Sequence, residues 1–184
     1  MNGSFVIDLT DLQPRTATTD APMRPVDMPE GRAGVQVGDY WMQPKYDGWY
    51  VVFKAGRAYT RHGRDITDWA CWDGRALPWN AVGELMHTEG RHRIQSLRNS
   101  PEGLRVVLFD LPGAAPIEQR LAGLPRVADL HGFESAPAWT CETWEQADRL
   151  RVRMQQEGHE GLVLKRAGSA WTSGDCGDWV RFKA

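Results

Sequence analysis

Short apolar segments separated by turn-forming residues are the dominant pattern of the chain beyond residue 38. Their lengths, roughly three to six residues, are typical of strands rather than helices. We predict strands over 40–43, 50–53, 58–60, 104–109, 161–165 and 179–182. The turn Ala55-Gly56-Arg57 is predicted to join the second and third segments as a hairpin, and Gly103 and Pro112 bound the fourth.

One segment has helical periodicity instead. Its apolar residues share one face: Trp144, Ala147, Leu150 and Met154. The Thr143 hydroxyl is predicted to cap the first turn while Gln146 reaches back, and Gly158 is predicted to end the helix.

These elements predict an α+β fold with mostly antiparallel sheets and flanking helices, because the strands do not alternate regularly with helices. Residues 12–38 contain four prolines among scattered Thr, Asp and Gly, which predicts extended chain with little regular structure. We therefore divide the chain into an extended N-terminal lead-in, residues 1–38, and one folded domain, residues 39–184. A length of 184 residues is within the usual range of a single domain.

Composition narrows the class of protein. A hydrophobic content of 41% and a charged content of 25% are those of an ordinary globular protein. The net charge of −2 excludes a global positive field, so any contact with nucleic acid must come from a local patch. The start of the chain lacks the pattern of a secretory signal and no apolar run reaches the length of a membrane span, so we expect a cytoplasmic protein.

Cysteine and tryptophan usage adds little to this picture. The three cysteines are far apart and form no CxxC pair, which favours reduced thiols over a disulfide framework or a zinc site. The nine tryptophans fit either an aromatic core or stacking on bases or sugars, and the sequence leaves both open.

Lys45 is the first candidate for chemistry. It lies in Lys45-Tyr46-Asp47-Gly48, between two predicted strands that hold the loop on both sides. A lysine acts as a nucleophile as the free amine, which requires neighbouring cations or a dry pocket. Four residues of this kind also occur by chance as a Lys-Asp pair in a turn, so the motif alone is weak.

Five further segments follow this motif in a fixed order. They are TRHG from Thr60, GEL from Gly83, LFDLPG from Leu108, EGLVLK from Glu160 and WVRFK from Trp179. Together with the lysine motif they resemble the adenylation domain of ATP-dependent DNA ligases, most closely the minimal bacterial and phage ligases. The resemblance covers about residues 41–183 and implies a nucleotidyltransferase fold, of the ATP-grasp-like ligase adenylation type.

The resemblance implies ATP and Mg²⁺ as cofactors and a role for each matching residue. Lys45 would carry the AMP, Glu84 would contact the ribose, and Phe109 would stack on adenine. Gln43 would read the adenine amino group, through its side chain or its backbone. Glu160 would hold the metal ion together with Glu84, since Mg²⁺ prefers oxygen ligands.

Cationic residues complete the implied site. Lys165, Arg181 and Lys183 would meet the phosphates, because attack on a triphosphate depends on neutralising charge and aligning groups in line. The implied catalytic set is Lys45, Asp47, Lys165 and Lys183. The implied nucleotide-binding set is Gln43, Lys45, Arg61, Glu84, Phe109, Lys165, Arg181 and Lys183.

The implied function is an ATP-dependent DNA ligase that seals nicks, for DNA replication or repair, through a covalent lysyl-AMP. An RNA ligase or a capping-type nucleotidyltransferase shares the same chemistry and stays open as an alternative, as does a non-catalytic module that binds nicks. A P-loop ATPase is excluded because no GxxxxGK[ST] motif occurs.

Two features depart from the family pattern. Tyr50 stands where the family usually has an arginine that engages the nick, and a tyrosine cannot neutralise a phosphate. The sequence also ends at Ala184, where related ligases continue into an OB-fold domain. We therefore expect nicked duplex DNA as the partner, with RNA in one strand left open, and a separate protein as a source of the OB-type function.

Two clusters of basic residues are candidates for the local DNA patch. The first contains Arg61, His62 and Arg64, and the second contains Arg91, His92, Arg93 and Arg98. Contacts from such residues to phosphates position a duplex without reading its sequence. A merely solvated surface is the alternative, and no pattern of metal-ligand spacing supports a zinc role for His87 or His92.

Overall fold

A computed structural model describes residues 22–183 of the chain. The strands are β1 (Met23–Asp27), β2 (Tyr40–Lys45), β3 (Trp49–Lys54), β4 (Arg57–Thr60), β5 (Asn80–His87), β6 (Leu104–Asp110), β7 (Glu134–Ser135), β8 (Trp139–Thr140), β9 (Gly161–Arg166) and β10 (Gly174–Phe182). The two α-helices are α1 (Ile117–Leu130) and α2 (Trp144–Gln156). Neither helix has the length and apolar character needed to cross a membrane.

The first sheet has the strand order β1-β10-β9-β2-β8. Strands β10, β9, β2 and β8 are antiparallel to their neighbours, whereas β1 runs parallel to β10 at one edge. Alternate residues of these strands pack against α2 in an apolar core that includes Met42, Met154, Leu164 and Val180. The intervening residues therefore face the opposite side of the sheet.

The second sheet has the strand order β4-β3-β5-β6-β7. Strands β4, β3, β5 and β6 are antiparallel, and β7 pairs with β6 in parallel. One face packs against α1 and the segment around Trp69 and Trp72, in a core that includes Phe53, Leu85 and Leu124. As in the first sheet, the residues of the other face point away from this core.

A buried ion-pair network joins the two sheets. Asp110, at the end of β6, lies 2.8 Å from Arg120 of α1 and 3.2 Å from the ammonium of Lys165 in β9. All three side chains are at most 1% exposed. Burial opposes ionisation of Asp110, but the charges of Lys165 and Arg120 outweigh it and hold its pKa below the ordinary value. Burial lowers the pKa of Lys165 to about 8, which leaves the pair ionised at neutral pH.

The predicted α+β class with mostly antiparallel sheets is confirmed, and so are the six predicted strands and the 55–57 hairpin. The predicted helix begins and ends close to its expected bounds. Thr143 accepts a hydrogen bond from the Gln146 amide, as expected. The side chain of Gln146 reaches back one residue further, to the backbone N–H of Glu142.

The lead-in differs from the prediction. Within residues 22–38, which the sequence predicted to have little regular structure, β1 forms a sheet edge and Met23 is fully buried. Two 3₁₀ turns follow, Glu30–Arg32 and Val37–Asp39. This strand forms because β1 pairs in parallel with β10, which is distant in sequence. No local sequence pattern predicts such a strand. Residues 1–21 lie outside the described residues, and the division at residue 38 stays a prediction.

Helix α1 and strand β5 were not predicted. Pro125 lies inside α1 and Gly123 stands two residues before it, which disfavours a helix by local propensity. The helix forms because Leu124 and Ala128 pack in the core of the second sheet, Ile117 is buried, and Arg120 reaches Asp110. Tertiary packing therefore overrides propensity here.

We predict that Asp110→Ala will lower the free energy of unfolding by about 3–5 kcal/mol, because it leaves two buried cations without their counterion. Urea denaturation followed by circular dichroism measures this change. The matched control is Glu89→Ala, which removes an exposed partner of Arg93 and should cost less than about 1 kcal/mol. Similar losses in the two variants would contradict the central role of the network.

Candidate active site

A cleft of about 680 Å³ lies between the free faces of the two sheets. Strand alternation explains its lining from the first sheet, since Gln43, Val163, Lys165, Trp179 and Arg181 point away from α2. The second sheet contributes three side chains by the same rule: Tyr50, Glu84 and Phe109. Every residue of the implied nucleotide-binding set lines this cleft.

Lys45 is the last residue of β2 and pairs with Gly161, the first residue of β9. This register places Glu160 beside it: the amide of Glu160 donates to the Lys45 carbonyl at 2.9 Å, and Lys45 Nζ lies 2.7 Å from Glu160 Oε2. Lys183 Nζ lies 2.7 Å from the same oxygen. Partial burial opposes ionisation of Glu160, but the hydrogen bonds from Lys183 and Lys45 hold its pKa below the ordinary value.

Steric crowding explains why two positions of the motifs are occupied by glycine. A Cβ on Gly48 would lie 2.5 Å from the Leu85 carbonyl oxygen, and a Cβ on Gly161 would lie 2.4 Å from that of Phe182. Gly161 also has a φ of +141°, which side-chain-bearing residues rarely adopt. These close contacts fix the backbone on both sides of Lys45 and Glu160.

Phe109 stands at a β-bulge. The register of β5 and β6 shifts by one residue between Val82 and Gly83, so Phe109 is the extra residue of β6. Its ring contacts Tyr50 edge-on at 5.4 Å and Trp179 at 6.2 Å. Phe109 lines the cleft, so its ring is within reach of a ligand bound there.

Glu84 lies on β5 directly opposite Tyr50 of β3. Its Oε1 accepts a hydrogen bond from the Gly48 amide at 2.9 Å, which ties the lysine loop to the floor of the cleft. Burial raises the pKa of Glu84 to about 7, and the Gly48 hydrogen bond and the charge of Lys45 only partly offset it. Glu84 is therefore protonated more readily than an ordinary glutamate.

Lys165 and Asp47, two members of the implied catalytic set, lie in contrasting environments. Lys165 is 1% exposed, donates to the Phe109 carbonyl at 2.7 Å, and lies 4.0 Å from the Trp179 ring centre. Its ammonium thus holds the backbone of Phe109 in place through the carbonyl group. Asp47 is exposed, pairs with Arg91 at 2.6 Å and does not line the cleft. A direct catalytic role for either residue stays a prediction.

The remaining cations lie on the rim. Arg61, His62 and Arg64 are exposed and line the cleft, which brings the first basic cluster to its edge. Of the second cluster, only Arg91 lines the cleft, while Arg93 pairs with Glu89 at 3.0 Å. Arg181 is held by Asp27 of β1 at 2.9 Å, so the unpredicted strand positions a predicted site residue.

No protein-family model matches the sequence. The chain is 29% identical over 171 residues to the multifunctional non-homologous end joining protein LigD of Pseudomonas aeruginosa, which covers 79% of this chain and 20% of that protein. It is also 29% identical over 151 residues to a probable DNA ligase of Koribacter versatilis, over 65% of this chain and 25% of that protein. The chain thus spans a quarter or less of these relatives.

Solved structures give a closer match in three dimensions. A Lig E DNA ligase superimposes with a TM-score of 0.75 at 19% identity, over 89% of this chain and 68% of that one. The Chlorella virus DNA ligase-adenylate gives 0.72 at 14% identity, over 89% and 67%. The ATP-dependent DNA ligase of bacteriophage T7, in complex with ATP, gives 0.64 at 15% identity, over 89% and 68%. The chain has the adenylation-domain fold of the ATP-dependent DNA ligases.

Within this ligase fold, several buried polar atoms of the cleft lack a partner among the described residues. Gln43 Oε1, Tyr50 Oη and Trp179 Nε1 are buried and have no hydrogen-bond partner among residues 22–183. Buried polar atoms are normally paired, so their concentration in one cleft indicates a polar ligand. Gln43 was predicted as an adenine reader, whereas Trp179 and Tyr50 were not predicted to bind the nucleotide.

The same fold offers few protein ligands for a metal ion. Residues 22–183 contain no group of three or more His, Cys, Asp or Glu side chains arranged to hold one. Glu84 and Glu160 nevertheless line the same cleft. Mg²⁺ usually takes one or two carboxylates and completes its octahedron with waters and substrate phosphates, so two carboxylates fit the ion.

We predict that Glu84→Gln will stabilise the folded chain above pH 7. The folded-state pKa of Glu84 lies near 7, above its ordinary 4.5, so its favourable contribution is lost as the pH rises from about 4.5 to 7. A neutral amide avoids that loss and still accepts from Gly48. Thermal unfolding should show a Tm about 2–4 °C above that of the unsubstituted chain at pH 8, and a smaller difference at pH 5.

Glu89→Gln, on the exposed surface, serves as the control and should show no such pH dependence. A Glu84→Gln variant whose Tm difference is the same at both pH values would refute the raised pKa.

Proposed function

We propose that the chain is an ATP-dependent polynucleotide ligase that seals nicks in DNA through a covalent AMP on Lys45. The observation that carries this proposal is the placement of Lys45 and Lys183 on one oxygen of Glu160, at the edge of a nucleotide-sized cleft. The ligase fold supports it, because the structural neighbours are DNA ligases and one of them contains ATP.

In the first step, Lys45 Nζ forms a bond to the α-phosphorus of ATP, and the bond to the pyrophosphate leaving group breaks. The Glu160 carboxylate, whose Oε2 lies 2.7 Å from Lys45 Nζ, can accept the proton that Nζ loses. Lys183 and Arg181 line the same part of the cleft and would neutralise the phosphate oxygens. Mg²⁺ held by Glu160 and Glu84 would supply further charge neutralisation when bound.

The adenine would stack on Phe109 between the two sheets. The two unpaired polar atoms of the first sheet would complete its recognition: Gln43 Oε1 can accept from the adenine amino group, and Trp179 Nε1 can donate to a ring nitrogen. A polar base with both donors and acceptors satisfies atoms that are otherwise buried without partners.

Later steps require a nick at the rim. The AMP would pass from Lys45 to the 5′-phosphate of the nick, and the 3′-hydroxyl would then displace AMP to close the strand. Arg61, His62 and Arg64 at the cleft edge are placed to contact the duplex phosphates. Nick sealing of this kind would serve replication or repair of DNA, and we place the reaction in the cytoplasm.

We predict that ATP and Mg²⁺ will add one AMP per chain, and that Lys45→Ala will abolish the addition. Intact-mass spectrometry measures the product, and GTP and NAD in place of ATP test the choice of nucleotide. Lys54→Ala, which changes a lysine of β3 outside the cleft, is the control and should keep the adduct. No mass gain with any of the nucleotides, or a gain that survives Lys45→Ala, would refute the proposal.

We predict that Arg64→Ala will weaken nick binding by removing a contact to phosphate and will leave the lysyl-AMP adduct intact. Each lost phosphate contact lowers the slope of log affinity against log salt by about 0.9 for duplex DNA. Gel-shift affinities over a salt series measure the slope.

Arg93→Ala is the matched control, because Arg93 pairs with Glu89 away from the cleft. Equal slopes for Arg64→Ala and the unsubstituted chain would place the duplex on another surface. If the unsubstituted chain forms the adduct but does not bind a nicked DNA duplex in the gel-shift, an RNA substrate would be favoured instead.

A further inference from the structure

Strand β1, which no sequence pattern predicted, lies beside the strand that carries Arg181. In the parallel register of β1 and β10, Asp27 is the partner of Arg181. The amide of Met28, the next residue, donates to the Arg181 carbonyl at 3.0 Å. Contacts from β1 therefore reach both the backbone and the side chain of this cleft-lining cation.

The ion pair between Asp27 and Arg181 is a two-point contact. Arg181 Nη2 donates to Asp27 Oδ2 at 2.9 Å, and Arg181 Nε lies 2.9 Å from Oδ1. A planar guanidinium that is held at two points has a defined orientation, which a single contact does not give. The pair occupies one edge of the guanidinium and leaves Nη1 for a second partner.

The carboxylate of Asp27 holds the guanidinium from outside the cleft. Arg181 lines the cleft, whereas Asp27 does not, and the Asp27 side chain is 78% exposed. An anion that enters the cleft can therefore contact Arg181 without displacing Asp27. The cleft-lining residues at this end of the chain follow in the order Trp179, Arg181 and Lys183, from the proposed adenine end to the proposed reactive end. Arg181 is thus level with the part of the nucleotide that joins the base to the reacting phosphate.

We propose that Asp27 is a positioning residue for nucleotide binding, which orients the guanidinium of Arg181 so that its remaining N–H groups meet the α-phosphate of ATP. The inference rests on the proposed use of ATP but not on the attack by Lys45. Its consequence is opposite in sign to simple electrostatics. A carboxylate near a polyanion repels it, so Asp27 would weaken ATP binding if charge alone decided. Because Asp27 orders the guanidinium in advance, it strengthens ATP binding instead.

The test measures equilibrium binding of ATP with Mg²⁺ by calorimetry in the Lys45→Ala background, where no adduct can form. Asp27→Ala should weaken binding about three- to tenfold, because an unrestrained guanidinium must then be ordered when it meets the phosphate. Asp27→Asn keeps the shape and one acceptor oxygen, so it should weaken binding by a smaller factor. The Tm of both variants should change little, because the pair is largely exposed.

A double-mutant cycle determines whether Asp27 acts through Arg181. In the Arg181→Ala background, Asp27→Ala should not weaken ATP binding further, because no guanidinium is left to orient. The matched control is Asp175→Ala, which removes the same charge from the same pair of strands. Asp175 of β10 pairs with Arg24 of β1 at 2.9 Å, so the control also breaks an ion pair between these strands. It should not weaken ATP binding.

Four results would overturn the inference. Unchanged or tighter ATP binding in Asp27→Ala would make the carboxylate a bystander or a competitor for Arg181. An equal loss with and without Arg181 would reduce Asp27 to a role in the packing of β1, and so would an equal loss in Asp175→Ala. No measurable ATP binding before Asp27 is changed would remove the ligand that the inference requires.

These outcomes are separable from failure of the proposed ligase reaction, which intact-mass spectrometry decides on the chain that retains Lys45. Coupling between Asp27 and Arg181 without an adduct at Lys45 would disprove the reaction and retain the positioning role. Conversely, an adduct at Lys45 without such coupling would retain the reaction and disprove the positioning role.

Discussion

The buried carboxylate of Asp110 is the constraint on which the rest of the structure depends. It pairs with a cation from each of two separate layers, Lys165 of the first sheet and Arg120 of the helix behind the second. Desolvation of three charges costs a great deal unless the geometry is maintained, so the pairs resist sliding of one layer against the other. Lys165 donates to the carbonyl of Phe109, and both residues line the cleft, so the network ties the two walls of the cleft together.

Register fixes the reactive end of the cleft in a similar way. Pairing of Lys45 with Gly161 follows from the antiparallel match of β2 and β9, and it leaves Lys45, the proposed nucleophile, and Glu160 on adjacent strand ends. A slip by one residue would turn Lys45 toward the apolar core around Leu162 and Leu164. The apolar face that packs on α2 thus specifies the register, and the chemistry on the opposite face inherits it.

Much of this architecture can be predicted from the sequence. The parts that cannot be predicted have physical causes. The strands of the motifs were predictable because each is a short apolar run between turn residues, and the order of the motifs placed Lys45, Glu84, Phe109 and Glu160 in one site. Strand β1 was not predictable because parallel pairing with β10 creates it. Helix α1 was not predictable because Pro125 disfavours a helix by local propensity, whereas tertiary burial stabilises it. The burial of Lys165 and the unpaired Tyr50 hydroxyl depend on contacts between sheets, which no local pattern encodes.

The shared oxygen of Glu160 has a consequence for chemical selectivity. With its Nζ held 2.7 Å from the Glu160 carboxylate, Lys45 must leave an ion pair before it can attack an electrophile in the cleft. A reagent that brings its own charges can compete for Glu160 and for Lys183, and in doing so releases the amine. If Lys45 is the nucleophile, as proposed, this ion pair would favour attack on a polyanionic substrate over attack on a neutral electrophile.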